Sequence, residues 1–300
     1  MPRRSALPPP LLEGPFDRAK AAQHGVGPGR LRDADVLRPY HGVQATRVPN
    51  TTLERCRAYA VRLQPGRFFS HVTAAQLLTL PLPLHLERRE LLDVAAVHPA
   101  AAPHARGVRG HRLRQMPDVV EVAGLPVSSA PETWCQLSGL VTLDDLVVIA
   151  DAFLTRSDVE EPAIRARLLE VIVQRPRRGA STLRQALQQA RRGSASPGET
   201  RTRLVLVRGG LPQPELNVPL RSAQGAYLGK GDIVYRAHRV LFEYEGDGHR
   251  EREQFRYDIE RYERFRDAGW TVVRVTADDL RGDRRTQLVL RARRRLQLSD

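Results

Sequence analysis

The chain has 300 residues, with 48 Lys+Arg against 34 Asp+Glu and a formal charge of +14. A hydrophobic fraction of 41% excludes a wholly disordered chain, so the charge excess sits on folded surfaces and points to an acidic partner. Two lone cysteines, Cys56 and Cys135, exclude a disulfide framework or zinc site; no apolar run suits a signal sequence or membrane span, so a cytoplasmic protein without a membrane partner is expected.

Residues 1–13 are rich in Pro and Arg and read as disordered. Across 14–52, Phe16, Ala19 and Ala22, then Leu31, Val36 and Leu37, read as two short helices around a Gly turn, with a hairpin opening at 40–43. That is the order of a winged helix-turn-helix, whose second helix would enter a major groove. A small helical packing module has the same periodicity, which by itself favours it. A mixed middle domain follows over 53–174. Helical spacing covers 53–63 and 72–80, and strand-like runs cover 91–97, 119–122 and 125–127, with 107–114 as a basic connection. Helices are expected at 130–137 and at 143–154, the latter capped by Thr142. No catalytic constellation is legible there, because His71, His85, His98, His104 and His111 share no helical or strand spacing. Residues 175–195 read as a basic linker, two Arg- and Gly-containing clusters either side of a short polar helix. No fixed-period repeat is present, which excludes solenoids and propellers.

The last segment, 196–300, carries the chemistry. Ser196 as N-cap, Pro197 and Glu199 open a helix that ends at Gly209-Gly210, and a short strand follows near 216–218. Residues 227–235 and 240–245 are two strands rich in β-branched and aromatic residues. If the chain turns about Ala237-His238, Ile233 faces Phe242, Val234 faces Leu241 and Asp232 faces Glu243. One face then carries Ile233, Tyr235, Val240, Phe242 and Tyr244, and the other gathers Asp232, Glu243 and Glu245. Opposed Cβ atoms lie about 4.5–5.5 Å apart, close enough for carboxylates to share one cation. Acidic strand faces are often merely solvated. Here Glu243 lies in an otherwise apolar segment, and neither Lys nor Arg occurs over 240–245, so a metal is the expected offset to the repulsion. A turn at 246–249, a helix at 251–268, a strand at 270–275 and an Arg-studded helix complete an α/β core.

This order resembles the PD-(D/E)xK nuclease superfamily, and within it the group related to very-short-patch-repair endonucleases, over about residues 194–297. The resemblance rests on Ser196-Pro197-Gly198-Glu199-Thr200, Gly231-Asp232, Glu243-Tyr244-Glu245-Gly246-Asp247-Gly248-His249, Asp258 with Arg261, and Ala268-Gly269-Trp270-Thr271-Val272-Val273-Arg274. More loosely, 16–47 looks like the winged-helix start of AbiEi-type antitoxins, and Phe68-Phe69-Ser70-His71-Val72-Thr73-Ala74-Ala75 fits the same architecture. The likeness implies an α+β chain: an N-terminal winged helix, a mixed middle domain and a C-terminal restriction-endonuclease-like α/β core with a central mixed sheet flanked by helices.

It also implies that Asp232 and Glu243 bind metal, with Glu245 where the superfamily usually has Lys and counted here as a third ligand. Glu199 would be the first-helix acid, Asp258 an accessory residue and His249 an aid to proton transfer. Lys230, on the same side of its strand as Asp232, is a candidate substitute cation. Mg²⁺, with Mn²⁺ as substitute, is the implied cofactor, and DNA the partner, tracked by Arg256, Arg261, Arg264 and Arg274. The expected function is a metal-dependent DNA endonuclease in DNA repair or in defence against phage and mobile elements. The competing expectation is an antitoxin-like DNA-binding regulator with an idle nuclease fold. Monomer or homodimer, and any toxin or repair partner, are left open by the sequence.

Overall fold

The computed structural model of the chain describes residues 5–246 and 252–298, with 252–259 described by backbone alone. Its described residues form an α+β structure of helices around two mixed sheets. The chain divides into two compact units, Met1–Val141 with Val171–Ala180, and Thr142–Glu170 with Ser181–Asp300. No helix among the described residues is long and apolar enough to cross a membrane.

The first unit contains α1 (Arg18–Gln23), α2 (Thr52–Ala60), β1 (Phe68–Phe69), α3 (His71–Leu77), α4 (Leu84–Glu87), β2 (Leu92–Val97), β3 (Val108–Leu113), β4 (Val119–Val122), β5 (Leu125–Ser128) and α5 (Ala130–Leu137). The strand order is β3-β2-β1-β5-β4. β2 runs parallel to β3 and antiparallel to the two-residue β1. Leu92, Val94, Ala95 and Ala96 are all buried, the pattern of a strand covered on both faces. α2 opens with a capping box between Thr51 and Glu54, and its Tyr59 packs with Phe69, Val94 and Val127 in one core.

Four expectations for the front of the chain and its connections are corrected. Residues 5–13 are ordered, because Leu7 and Leu11 are buried with Phe16, Ala21, Val26, Leu31 and Val36. The expected second helix is a single 3-10 turn at Arg30–Arg32, limited by Gly27-Pro28-Gly29 ahead of it and by the Arg30 ion pairs to Asp33 and Asp35. Residues 107–114 contain a strand, β3, whose Gly and Arg residues lower its apolar signal because it is a sheet edge. The 175–195 segment is not an open linker: Arg175 and Arg177 hold the buried Glu132 carboxylate at 2.7 and 3.1 Å, while the short polar helix expected within it is present at Ala180–Gln189.

The second unit comprises α6 (Leu143–Arg156), most of α7 (Glu161–Val173), α8 (Ala180–Gln189), α9 (Pro197–Arg208), β6 (Glu215–Arg221), β7 (Tyr227–Tyr235), β8 (Val240–Glu245), α10 (Arg252–Asp267), β9 (Thr271–Thr276) and α11 (Gly282–Arg295). The sheet order is β6-β7-β8-β9, with β8 and β9 parallel and the other pairs antiparallel. The β7/β8 register is the expected one, Ile233 opposite Phe242 and Val234 opposite Leu241. Its turn is a 3-10 segment at Arg236–His238 closed by Arg239 in the left-handed region, φ 51°.

That register separates the two sheet faces. Ile233, Tyr235, Phe242, Val273 and Val275 pack with Leu206 of α9 and Leu288 and Ala292 of α11. Val234 and Leu241 pack with Leu220, Phe265 of α10 and Trp270. α9 is fixed to α6 by a buried ion pair, Arg203 Nη2 to Asp151 Oδ2 at 2.9 Å, with Thr200 Oγ1 donating to the same oxygen at 2.8 Å. A Cβ at Gly198 would overlap the Tyr244 ring, so glycine permits the N-terminal turn of α9 to lie against β8.

Candidate active site

The carboxylates lie where the regular β7/β8 ladder ends. Beyond Ile233 and Phe242 the side chains take over: the Asp232 amide donates to Glu243 Oε1 at 3.3 Å, and the Tyr244 amide donates to Asp232 Oδ2 at 3.0 Å. Glu243 and Glu245 are buried, at 2% and 8% exposure. Burial, reinforced by Glu199, raises the Asp232 carboxyl above its ordinary range; burial and the Asp232 charge raise Glu243 further. The two titrate as a unit, each resisting ionisation of the other.

Helix α10 and strand β9 supply the compensating groups. Arg261 Nη2 reaches Glu243 Oε2 at 2.5 Å, and its Nη1 donates to the Lys230 carbonyl at 3.1 Å. Glu245 Oε1 accepts from Tyr262 Oη at 2.7 Å and Arg274 Nε at 2.8 Å. Burial, followed by the bond to Glu245, raises the Tyr262 hydroxyl and keeps it a proton donor. Glu199 Oε2 accepts from the Ala195 amide at 2.8 Å and Asn217 Nδ2 at 2.6 Å, while Ser196 Oγ caps α9.

These contacts revise the expected roles. Among the described residues, no three Asp, Glu, His or Cys groups are arranged to hold a metal. The three-ligand set resolves into a close pair, Asp232 with Glu243, and a third carboxylate, Glu245, bonded to Tyr262 and Arg274. The pair fits Mg²⁺ or Mn²⁺ by its chemistry, since it offers hard oxygen donors and a mutual repulsion that a cation relieves. Lys230 is exposed, and its ammonium makes no ion pair among the described residues. The cation beside the cluster is Arg261, which the sequence assigned to DNA.

Arg274, 60% exposed, is likewise bonded to a carboxylate, and Arg264 is exposed on α10. The side chains of Arg256 and Asp258 and all of His249 lie outside the described residues. Arg261 was legible as inward-facing from its i, i+4 spacing to the apolar Phe265.

The first unit holds a constellation that histidine spacing did not reveal. Asp93 on β2 is fully buried; it accepts from the Val72 amide at 3.1 Å, from Arg89 and from His111 Nε2 at 2.9 Å. His71 stacks on His111 with ring centroids 3.7 Å apart and planes 15° from parallel. Parallel pairing creates this group, because Asp93 lies opposite Arg109 and Ala95 opposite His111, setting His111 diagonally beside Asp93. The legible signal was an Asp inside the apolar run Leu91-Leu92-Asp93-Val94-Ala95.

Two uncharacterized proteins of Mycobacterium tuberculosis, from strains CDC 1551 and H37Rv, are each 27% identical to the chain over 256 residues, covering 84% of it and 89% of their own length. No family model matches the chain, and no solved structure matches it.

Proposed function

We propose that the second unit is a metal-dependent endonuclease that hydrolyses DNA phosphodiester bonds. The Asp232–Glu243 pair carries this reading: a half-buried and a buried carboxylate, joined through strand amides and raised by burial and mutual repulsion, form a site that a divalent cation would stabilise. Asp232 and Glu243 would hold Mg²⁺ or Mn²⁺, which when bound supplies charge to the scissile phosphate and lowers the pKa of a water. Arg261 limits the charge on Glu243. Tyr262 and Arg274 fix the Glu245 carboxylate, and the exposed guanidinium of Arg274 can also meet a phosphate oxygen.

DNA as partner is supported by the +14 charge and by a cleft of about 1130 Å³ in the first unit, lined by Arg18, Arg38, Arg55, Arg62 and Arg106. In this reading the front of the chain, with α1 and the antiparallel bridges Phe16 to Gln44 and Leu37 to Ala45, steers the protein to DNA through this arginine-lined cleft, without the recognition helix of a winged helix. Repair or mobile-element defence in the cytoplasm is the corresponding setting. The test is cleavage of supercoiled and single-stranded DNA with Mg²⁺, Mn²⁺ or EDTA. Cleavage that requires metal and vanishes in Asp232→Ala/Glu243→Ala supports the enzyme.

One observation favours a second reading, an antitoxin-like regulator with an idle nuclease fold. Both Glu243 and Glu245 already have guanidinium partners. DNA binding without cleavage under either metal would select it.

A further inference from the structure

The stacked histidines of the first unit face a cavity of about 710 Å³, within the range of small-molecule sites. Five arginines are among the residues that line it, Arg112, Arg114, Arg175, Arg177 and Arg178, against a single acidic residue, Glu132. Arg175 and Arg177 are consumed by that carboxylate. Arg112, Arg114 and Arg178 are exposed, and no ion pair joins them to the described residues. Three exposed arginines without an ion pair at the rim of one cavity favour an anion, and the planar fork of Arg suits the oxygens of a phosphate.

The imidazoles define the rest of the site. Burial, with the other histidine and nearby Arg89 and Arg109, holds His71 down to about 3; burial with Arg109 and Arg89 holds His111 down to about 4. Both rings are therefore neutral at physiological pH, and the His111 contact to Asp93 is a hydrogen bond from a neutral ring. His111 uses Nε2 for Asp93, while His71 Nδ1 contacts Ser70 Oγ at 3.0 Å. One nitrogen of each ring has no partner among the described residues. His71 also sits at φ 49°, a costly conformation for a non-glycine residue, and its amide is held by Gln136 Oε1 at 2.8 Å. Leu113, Pro117 and Leu140 give the cavity an apolar wall.

We propose that this cavity binds a phosphate monoester of nucleotide size, its phosphate held by Arg112, Arg114 and Arg178 and its body placed against the His71–His111 stack. The site is independent of the carboxylate pair in the second unit. Binding to the full chain would be measured by calorimetry with adenosine 5′-monophosphate, adenosine, inorganic phosphate, and one oligonucleotide with and without a 5′-phosphate.

The monophosphate should bind at least about tenfold more tightly than adenosine, and inorganic phosphate should compete with it. Arg112→Ala/Arg114→Ala/Arg178→Ala, all surface changes, should weaken monophosphate binding at least about tenfold without lowering the unfolding midpoint. His111→Gln should weaken it as well. Asp232→Ala/Glu243→Ala should leave it unchanged, which separates this site from the nuclease reading. Preference for the 5′-phosphorylated oligonucleotide would identify a strand end as a source of the same phosphate chemistry. Equal binding of monophosphate and adenosine, or unchanged binding by the triple Arg variant, would overturn the proposal. So would oligonucleotide binding that ignores the terminal phosphate and is not displaced by the monophosphate.

Discussion

Each unit buries an acidic centre, and the two are solved differently. Asp93 is surrounded by a guanidinium, an imidazole and a backbone amide. Glu243 also has a guanidinium, but it faces a second carboxylate, Asp232, which raises its proton affinity. A buried charge whose neighbours satisfy it holds structure in place. One whose nearest neighbour is another acid stays poised for a proton or a cation, which is the condition that favours ligand chemistry.

The largest effect should fall on the satisfied centre. Asp93→Ala leaves Arg89 without its buried partner, and chemical denaturation should show a loss of about 3–5 kcal/mol; a loss under about 1 kcal/mol would make the two centres alike. At the frustrated centre, Glu243→Gln removes the repulsion together with the Arg261 ion pair, so the two effects oppose and its stability cost should be smaller than that of Asp93→Ala. Arg261→Ala removes the compensation instead and should destabilise the metal-free protein by about 1–3 kcal/mol, with part recovered on adding Mg²⁺. If Mg²⁺ returns nothing, the pair is not a cation site.

A pH series sharpens the contrast. The native state holds protons on Asp232 and Glu243 more tightly than the unfolded chain, so stability contributed below the ordinary carboxylate range is lost as pH rises through their elevated values. Unfolding midpoints without metal should decline across that window in the wild type and stay flatter in Asp232→Asn/Glu243→Gln. The smallest effect belongs to Arg274→Ala: its side chain is 60% exposed, so screening should hold the stability change within about 0.5 kcal/mol.

The same contrast explains what the sequence made legible. Asp232, Glu243 and Glu245 lie on a single hairpin, where side-chain alternation and one short turn set the register, so the carboxylate face could be read directly. Asp93, His71 and His111 are joined by a parallel pair and a two-residue strand from separate stretches of chain, and no local period encodes such pairing. Arg261 and Arg274 were read as DNA contacts because a charged residue is expected on a solvated face; the i, i+4 spacing of Arg261 to Phe265 was the one local sign against it, while the Arg274 bond to Glu245 depends on how β9 meets β8. Leu7 and Leu11 lay hidden among prolines, which signal disorder unless apolar anchors find a core.

The central claim is that Asp232 and Glu243 form a divalent-cation site, and the most direct measurement is the unfolding midpoint at about pH 8, above the ordinary carboxylate range, against Mn²⁺ concentration. At about 100 times the dissociation constant, a bound ion should add about 2.7 kcal/mol to the wild type and nothing to Asp232→Asn/Glu243→Gln. Equal midpoints in wild type and variant at every Mn²⁺ concentration would contradict the account.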